Sequence, residues 1–254
     1  MKLKFIQVNI YKGKYLESLI DFLKREDPDF ISMQEVTTRG FNLSADLGVN
    51  LFEVLKNRLG VDGVFHGDLR LVGDESSVFG NAVFSKYKII KSDILVLKSF
   101  RPVTLDELDG VSGEIRGQID RHLFDAEVVI GGRKIHLMSW HGAWTAPPAD
   151  TDETLRQAQM VANYVKRMDA PFILGCDSNN VLASKTIGLI NAVASNLLIG
   201  KDIKQTTHPK MHKIAPRGFL IDFIFTSGDF KLISLLVPQV LVSDHLPVVA
   251  ELEF

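Results

Sequence analysis

The stretch Leu123-Phe124-Asp125-Ala126-Glu127-Val128-Val129, followed by Lys134-Ile135-His136-Leu137-Met138-Ser139-Trp140, decides the fold. Both segments mix two-residue alternation with short apolar runs, the mark of strands buried on one face or on both. Similar runs recur at Leu3–Ile10, Phe30–Met33, Asn81–Phe84, Asp93–Lys98, Leu123–Ile130, Lys134–Trp140, Phe172–Leu174, Leu220–Thr226, Phe230–Leu236 and Val248–Phe254. So many strands imply two sheets or one very broad sheet. Between them, Tyr15, Leu16, Leu19, Ile20 and Leu23 repeat on one face of a 3.6-residue period, as do Leu155, Ala158, Val161, Ala162 and Val165. Further helices are expected over Ala45–Leu59 and Ser184–Leu197, where apolar residues cluster at three- and four-residue intervals. Layer logic gives an α/β fold, a four-layer α/β/β/α sandwich of two mostly antiparallel sheets flanked by helices. A single alternating βα sheet is the competitor.

The 254 residues are 46% hydrophobic and 24% charged, enough to bury a large core and to exclude disorder, collagen and coiled coil. No Pro/Gly/Ser-rich linker or shift of composition divides the chain, so one domain over residues 1–254 is expected. A formal net charge of -2 disfavours a protein that coats nucleic acid non-specifically, yet it allows a local basic groove. The single cysteine, Cys176, cannot form an internal disulfide and suits a reducing compartment. The first nine residues lack the apolar run of a secretory signal, and no stretch is apolar enough to span a bilayer. The expected location is the cytoplasm. Oligomeric state is not legible.

The chemistry-bearing pattern is positional. Several apolar strands end in a residue that can bind a hard cation or a phosphate oxygen, which packing alone does not require. Val8 leads to Asn9, and Ile31-Ser32-Met33 leads to Gln34-Glu35. Leu137-Met138-Ser139-Trp140 leads to His141, and Phe172-Ile173-Leu174 leads to Asp177 and Asn179. Asp222 interrupts the apolar run Leu220–Phe225, and Asp244-His245 follows Val240-Leu241-Val242. A carboxylate in so apolar a strand needs a partner. His245 is the natural one, since a carboxylate on one imidazole nitrogen fixes the tautomer and favours the protonated ring.

With these residues in view, the sequence resembles the endonuclease/exonuclease/phosphatase superfamily, which contains DNase I-like nucleases, abasic-site endonucleases, inositol polyphosphate 5-phosphatases and neutral sphingomyelinases. The resemblance rests on Gln34-Glu35-Val36, Gly80-Asn81-Ala82-Val83-Phe84-Ser85, His141, Asp177-Ser178-Asn179, Ile221-Asp222-Phe223-Ile224-Phe225 and Ser243-Asp244-His245-Leu246-Pro247-Val248, in that order. It implies that Glu35 is the principal Mg²⁺ ligand, with Mn²⁺ as a substitute ion. Asn9 then supports the metal or the phosphate, and Asp244 lies beside the metal or its waters. It further implies that Asp177 aligns or deprotonates the attacking water, that Asn179 holds water and phosphate, and that Asp222 orients His245. His141 binds a phosphate oxygen or helps the leaving group. Independently, Mg²⁺ needs only one or two carboxylates besides substrate oxygens, and in-line displacement asks chiefly for positioning and charge stabilisation.

Other signals carry two readings each. Asn81 reads as a turn residue before a strand. One departure from the family pattern is Cys176, which stands immediately before Asp177 where the usual motif has glycine; it reads as a packing group. His208 and His212 are spaced like zinc ligands on a helix, but Pro209 argues against a helix; the basic segment Thr206–Arg217 either borders the substrate, with Arg217 as its candidate contact, or is a solvated loop. Trp144 is either a stacking platform for a base or sugar or a packed aromatic. Arg101–Arg121 is a polar excursion of the kind that sets specificity or merely decorates the surface.

The sequence therefore predicts a Mg²⁺-dependent hydrolase of a phosphate ester, first a phosphodiester in DNA or RNA. Phosphomonoesters, phosphoinositides and phospholipid headgroups are the alternatives. A non-catalytic relative that binds a partner on the same rim is the rival class, disfavoured because all of the site's residue types are present.

Overall fold

A computed structural model describes residues 1–38, 48–104, 107, 118–212 and 218–254, with only the backbone considered at 74–78. Sheet A runs β11-β12-β1-β2-β4-β3 and sheet B runs β5-β6-β7-β8-β10-β9. In sheet A these strands are β1 (Lys2–Asn9), β2 (Phe30–Thr37), β3 (Asp62–Leu71), β4 (Asp74–Ser85), β11 (Lys231–Leu236) and β12 (Val248–Glu253). In sheet B they are β5 (Ile89–Lys98), β6 (Arg121–Ile130), β7 (Arg133–His141), β8 (Phe172–Asp177), β9 (Ser195–Asn196) and β10 (Asp222–Thr226). Each sheet has one parallel pair at its centre, β1/β2 and β7/β8, and antiparallel neighbours elsewhere. A parallel pair needs a crossover, and helices supply both: α1 (Leu16–Glu26) joins β1 to β2, and α3 (Asp152–Lys166) joins β7 to β8.

The helices form where the sequence caps them. The side chain of Asn50 accepts from the amide of Glu53 at the start of α2 (Leu51–Leu59), and Gly60 closes it in the left-handed region. Thr151 and Thr154 satisfy each other's amides at the start of α3, and Ser184 caps α4 (Lys185–Asn191). The expected helix over Ser184–Leu197 is thus too long. Val193 and Ala194 keep its apolar spacing going beyond Ile190, but Ser195 and Asn196 pair instead with the open edge of β10. Of the expected Ala45–Leu59 helix, Leu51–Leu59 is helical, while 45–47 lie outside the described residues. Strand β3 escaped sequence reading because Gly63, His66, Gly67 and Asp68 break its apolar pattern; two register shifts accommodate them against β4. Asp222 opens its strand and does not interrupt it. Among the described residues no helix is long and apolar enough to cross a membrane.

Two-residue alternation sorts the strands into layers. Ile6, Val8, Ile31 and Met33 turn outward into a cluster with Leu19, Ile20 and Leu23 of α1 and Leu51 and Leu55 of α2. On the other face, Leu3, Phe5 and Phe30 pack toward sheet B with Leu137, Ile173 and Val248. Further along the same inward face come Gln7, Ser32, Gln34, Ser139 and Gly175, and beyond them Asn9, His141, Asp177 and Asp222, so the interface grades from apolar to polar to acidic.

The middle layer is tightly joined. Gln7 and Gln34 exchange amide hydrogen bonds, and Gln34 Nε2 also donates to Ser139 Oγ at 2.9 Å and Ser32 Oγ at 3.1 Å. Ser32 Oγ donates to the Gly175 carbonyl at 3.2 Å and Ser139 Oγ to that of Met33 at 3.1 Å, so both sheets are bonded across the interface. Gly175 has no room for a side chain: a Cβ there would lie 2.6 Å from both Ser32 Cβ and Gln7 Oε1. Replacing Gly175 by Ala should cost about 1–3 kcal/mol through overpacking and lower Tm by roughly 3–10 °C. A thermal melt of G175A indistinguishable from wild type would show that the sheets are not held at this spacing.

Candidate active site

Register places the polar strand ends together. His141 of β7, Asp177 of β8 and Asp222 of β10 are consecutive cross-strand partners at one end of sheet B, and Asn9 pairs with Gln34 at the matching end of sheet A. Asp177 Oδ2 is the meeting point. It accepts from Asn9 Nδ2 at 3.0 Å and lies 3.6 Å from His141 Nε2 and 3.7 Å from His245 Nε2. The other oxygen, Oδ1, accepts from the backbone amide of Asn179 at 3.0 Å, and Asn179 itself adopts a positive φ of 54°. Such a conformation is costly for a residue with a side chain, though least so for Asn, and it concentrates where a site is held in shape.

Asp222 finds the partner its burial demands. It is wholly buried, and its Oδ2 accepts from His245 Nδ1 at 2.9 Å, which leaves Nε2 of His245 turned toward Asp177. Burial works against the charged imidazole, but Asp222 and Asp177, together with the Asp222 hydrogen bond and Asp244, outweigh it and hold the pKa of His245 well above the ordinary range. Asp177 is pushed upward, first by its own burial, while His245 and the amides of Asn9 and Asn179 partly offset this. His141 moves the other way: burial first, then the positive charges of Arg121 and His245, keep it neutral. Two imidazoles on one carboxylate therefore differ in charge.

Glu35 reaches the rim through a bulge. The β2/β4 register shifts between Met33 and Val36, and Glu35 takes a φ of 58°. In a regular pleat it would point opposite to Gln34, toward the helices; the bulge re-aims it. One of its oxygens, Oε2, is buried with no hydrogen-bond partner among the described residues. Close by, Asp244 is raised to about 6, mainly by burial and further by the charges of Glu35 and Asp177, against the pull of His245. An orphaned carboxylate oxygen beside a second buried carboxylate fits a hard divalent cation, which takes oxygen ligands and neutralises both. Glu35 and Asp244 would hold it, while the amide of Asn9 is given to Asp177.

Some of the site was missed by sequence reading. Arg121, only 4% exposed, donates from Nε to the Gly142 carbonyl at 3.1 Å, which also accepts from Asn179 Nδ2 at 3.1 Å. Its charge acts on Asp68, Glu35 and Asp177. The rule that found the others looked at the ends of strands where the chain leaves; Arg121 is where β6 begins, and because β6 is antiparallel to β7 that beginning lies at the same rim. Behind it, buried Asp68 accepts from Nδ1 of His122. Cys176 is a core residue with its thiol pushed well up by burial, and its backbone is ordinary strand, so the missing glycine does not alter the loop. Asn81 lies within β4 and is buried, donating to the His122 carbonyl at 3.3 Å, so it is not a turn residue. Trp144 is half-buried in the loop leaving β7. Arg217 and most of the Arg101–Arg121 excursion lie outside the described residues.

The sequence matches the profile described as the Endonuclease/Exonuclease/phosphatase family over residues 6–245. No curated protein matches it. Among solved structures, an endonuclease/exonuclease/phosphatase from Bacteroides vulgatus superposes with a TM-score of 0.77 at 18% identity, covering 100% of this chain and 99% of that one. A mannosyl-6-phosphatase of Bacteroides thetaiotaomicron gives 0.75 at 16% identity, with 99% and 100% covered. D. rerio TDP2 complexed with single-strand DNA product gives 0.71 at 18%, with 100% and 99% covered. These structures share its fold.

Divalent cation should stabilise the folded chain by linkage. An ion at about 100 times its Kd adds roughly 2.7 kcal/mol, or about 5–10 °C in Tm for a chain of this size. Melts of chelator-stripped protein should rise by that order on adding millimolar Mg²⁺ or Mn²⁺, and E35Q should lose most of the gain. An equal gain in E35Q would move the ion elsewhere.

Proposed function

Because this chain belongs to the Endonuclease/Exonuclease/phosphatase family, we propose that it hydrolyses a phosphodiester bond, foremost in a nucleic-acid strand, by Mg²⁺-dependent attack of an activated water. The observation that carries the reading is the single oxygen Asp177 Oδ2, which faces one amide and two imidazoles. A carboxylate so placed can take a proton from water at the moment the nearby donors receive charge on phosphate.

In this mechanism Asp177, fixed by Asn9 and by the Asn179 amide, orients the water and accepts its proton. The protonated His245, held in one tautomer by Asp222, donates from Nε2 to a non-bridging phosphoryl oxygen. Neutral His141 donates its remaining N–H to the same group or to the departing oxygen. Arg121 adds positive charge from behind, and Asn179 braces the loop against Gly142. A Mg²⁺ ion on Glu35 and Asp244 would supply Lewis-acid stabilisation of the phosphoryl oxygens. One P–O bond forms to the water and one breaks to the leaving group, with no covalent enzyme intermediate.

The DNA-bound TDP2 relative supports a nucleic-acid substrate. A phosphomonoester is the second reading, favoured by the net charge of -2 and by the mannosyl-6-phosphatase neighbour. The cytoplasm is the compartment we assign, where the buried, protonated Cys176 has no oxidising partner.

With Mg²⁺, an aryl phosphodiester should be turned over, and D177A and H245A should each lower kcat by a factor on the order of 10²–10⁴ while remaining folded. D222N should leave KM nearly unchanged and reduce kcat, since it disturbs the orientation of His245 and not substrate contact. Initial rates on single-stranded DNA, abasic duplex, RNA, inositol phosphates, sphingomyelin and a sugar phosphate under one Mg²⁺ condition then rank the substrates. Full activity in D177A defeats the mechanism, and a preference for the sugar phosphate selects the second reading.

A further inference from the structure

The turn Thr206–His212 contributes a group that no step of the hydrolysis uses. It is strapped to the catalytic strand ends: Leu246 donates its amide to the Thr206 carbonyl, His208 donates its amide to the Asp244 carbonyl at 2.7 Å, and Thr207 forms a bridge with His245. Thr206 Oγ1 accepts from the amides of Ile221 and Asp222 at 3.1 and 3.0 Å. The amide of His212 donates back to the His208 carbonyl at 3.0 Å and closes the turn.

The outcome is that His212 stands edge-on to His245, with ring centroids 5.3 Å apart at 76°. Ligating atoms of His212, Asp244 and His245 all lie within 4.8 Å of one another. Nδ1 of His212 is buried and has no hydrogen-bond partner among the described residues. His208 does not join them: its Nδ1 accepts from the Lys210 amide at 3.3 Å, so the pair at helical spacing does not form a site.

Two imidazoles joined by Asp244, whose two carboxylate oxygens let it serve both ions, are a different donor set from the all-oxygen pair of Glu35 and Asp244. Hard Mg²⁺ suits the latter, whereas borderline ions such as Zn²⁺ and Co²⁺ prefer imidazole nitrogen. The outer partner is also in place, since Asp222 accepts from Nδ1 of His245 as carboxylates do behind metal-bound histidines. Bonds of about 2.0–2.2 Å to a zinc ion keep its ligand atoms within about 4 Å of each other. The three ligand atoms, all within 4.8 Å of one another, need only a small mutual approach to reach that spacing.

We propose that His212, Asp244 and His245 form a second cation site, selective for a borderline transition ion, and that its occupation inhibits hydrolysis by withdrawing Nε2 of His245 from the phosphate. Ion binding stands on the geometry alone; inhibition rests on the role given to His245 above. The same Asp222–His245 pair thus serves either as a proton-bearing phosphate donor or as a metal ligand, never both at once.

Stripped wild-type protein saturated with Mg²⁺ is titrated with Co²⁺ and followed by visible absorption. One Co²⁺ per chain should give a ligand-field band, and H212F and H212N, each checked for folding by thermal melt, should bind it at least about tenfold more weakly. In parallel, Zn²⁺ should inhibit Mg²⁺-dependent turnover, with at least about tenfold more Zn²⁺ needed in either variant relative to its own uninhibited rate. Unchanged Co²⁺ affinity and spectrum in both variants overturns the site, and equal sensitivity to Zn²⁺ overturns the inhibition. If Mg²⁺-loaded wild type hydrolyses nothing, the hydrolase reading fails while the Co²⁺ band still decides whether the ion binds.

Discussion

The reciprocal amide pair of Gln7 and Gln34, with the hydroxyls of Ser32 and Ser139, is the interaction on which the candidate site depends. An apolar interface between two sheets would pack well at several relative shifts, because methyl groups interdigitate in more than one register. A buried amide is less tolerant. Leaving one of its donors or acceptors without a partner costs about 1–3 kcal/mol, so the sheets are held at the one offset in which all four side chains are satisfied. That offset also brings Asn9 onto Asp177 and Gln7 within 3.5 Å of Asp222. The polar layer therefore acts as a register pin one residue pair below the chemistry.

Much of this was written into the sequence in the simplest possible code. Period-two alternation puts Leu3, Phe5, Gln7 and Asn9 on one face of β1, and Leu137, Ser139 and His141 on one face of β7. Polar strand ends were therefore readable as a set, and Asn9, His141, Asp177, Asp222 and His245 do come together. What was not readable has physical causes. Glu35 reaches the site only through a backbone bulge, which no side-chain period announces. Arg121 comes from the opposite strand direction, which depends on knowing that β6 and β7 are antiparallel. Strand β3 hides because its inward and edge positions carry Gly, His and Asp, and the run after α4 keeps a helical apolar period while its backbone pairs with β10.

Electrostatics explain why so many acids can share one buried rim. Glu35, Asp177, Asp222 and Asp244 are balanced by protonated His245, by Arg121 and by amide donors, and Asp244, whose side chain accepts from Ser243, is raised to about 6, mainly by burial. Folding such a cluster opposes stability, since each buried charge must be paired or desolvated at a cost. The chain tolerates it because the surrounding core is extensive, and the proposed cation would remove the residual repulsion. Strain points the same way. The non-glycine residues with positive φ include Tyr11, Lys12, Glu35 and Asn179, which flank or form the rim.

His245 shows how one geometry admits two uses. Its Nδ1 is committed to Asp222, and that commitment raises the basicity of the ring as a whole. A more basic imidazole holds its proton and stabilises an anionic phosphate, but the same basicity makes the neutral ring a better ligand. Which use prevails is then decided by what else faces Nε2. Asp177 alone favours the proton, because a carboxylate pairs with an imidazolium; His212 and Asp244 together favour a metal, because they complete a coordination shell that a lone histidine cannot. The turn at Thr206–His212 is thus more than a connection between β9 and β10: it brings to His245 a neighbour that, on the proposal above, changes what it does.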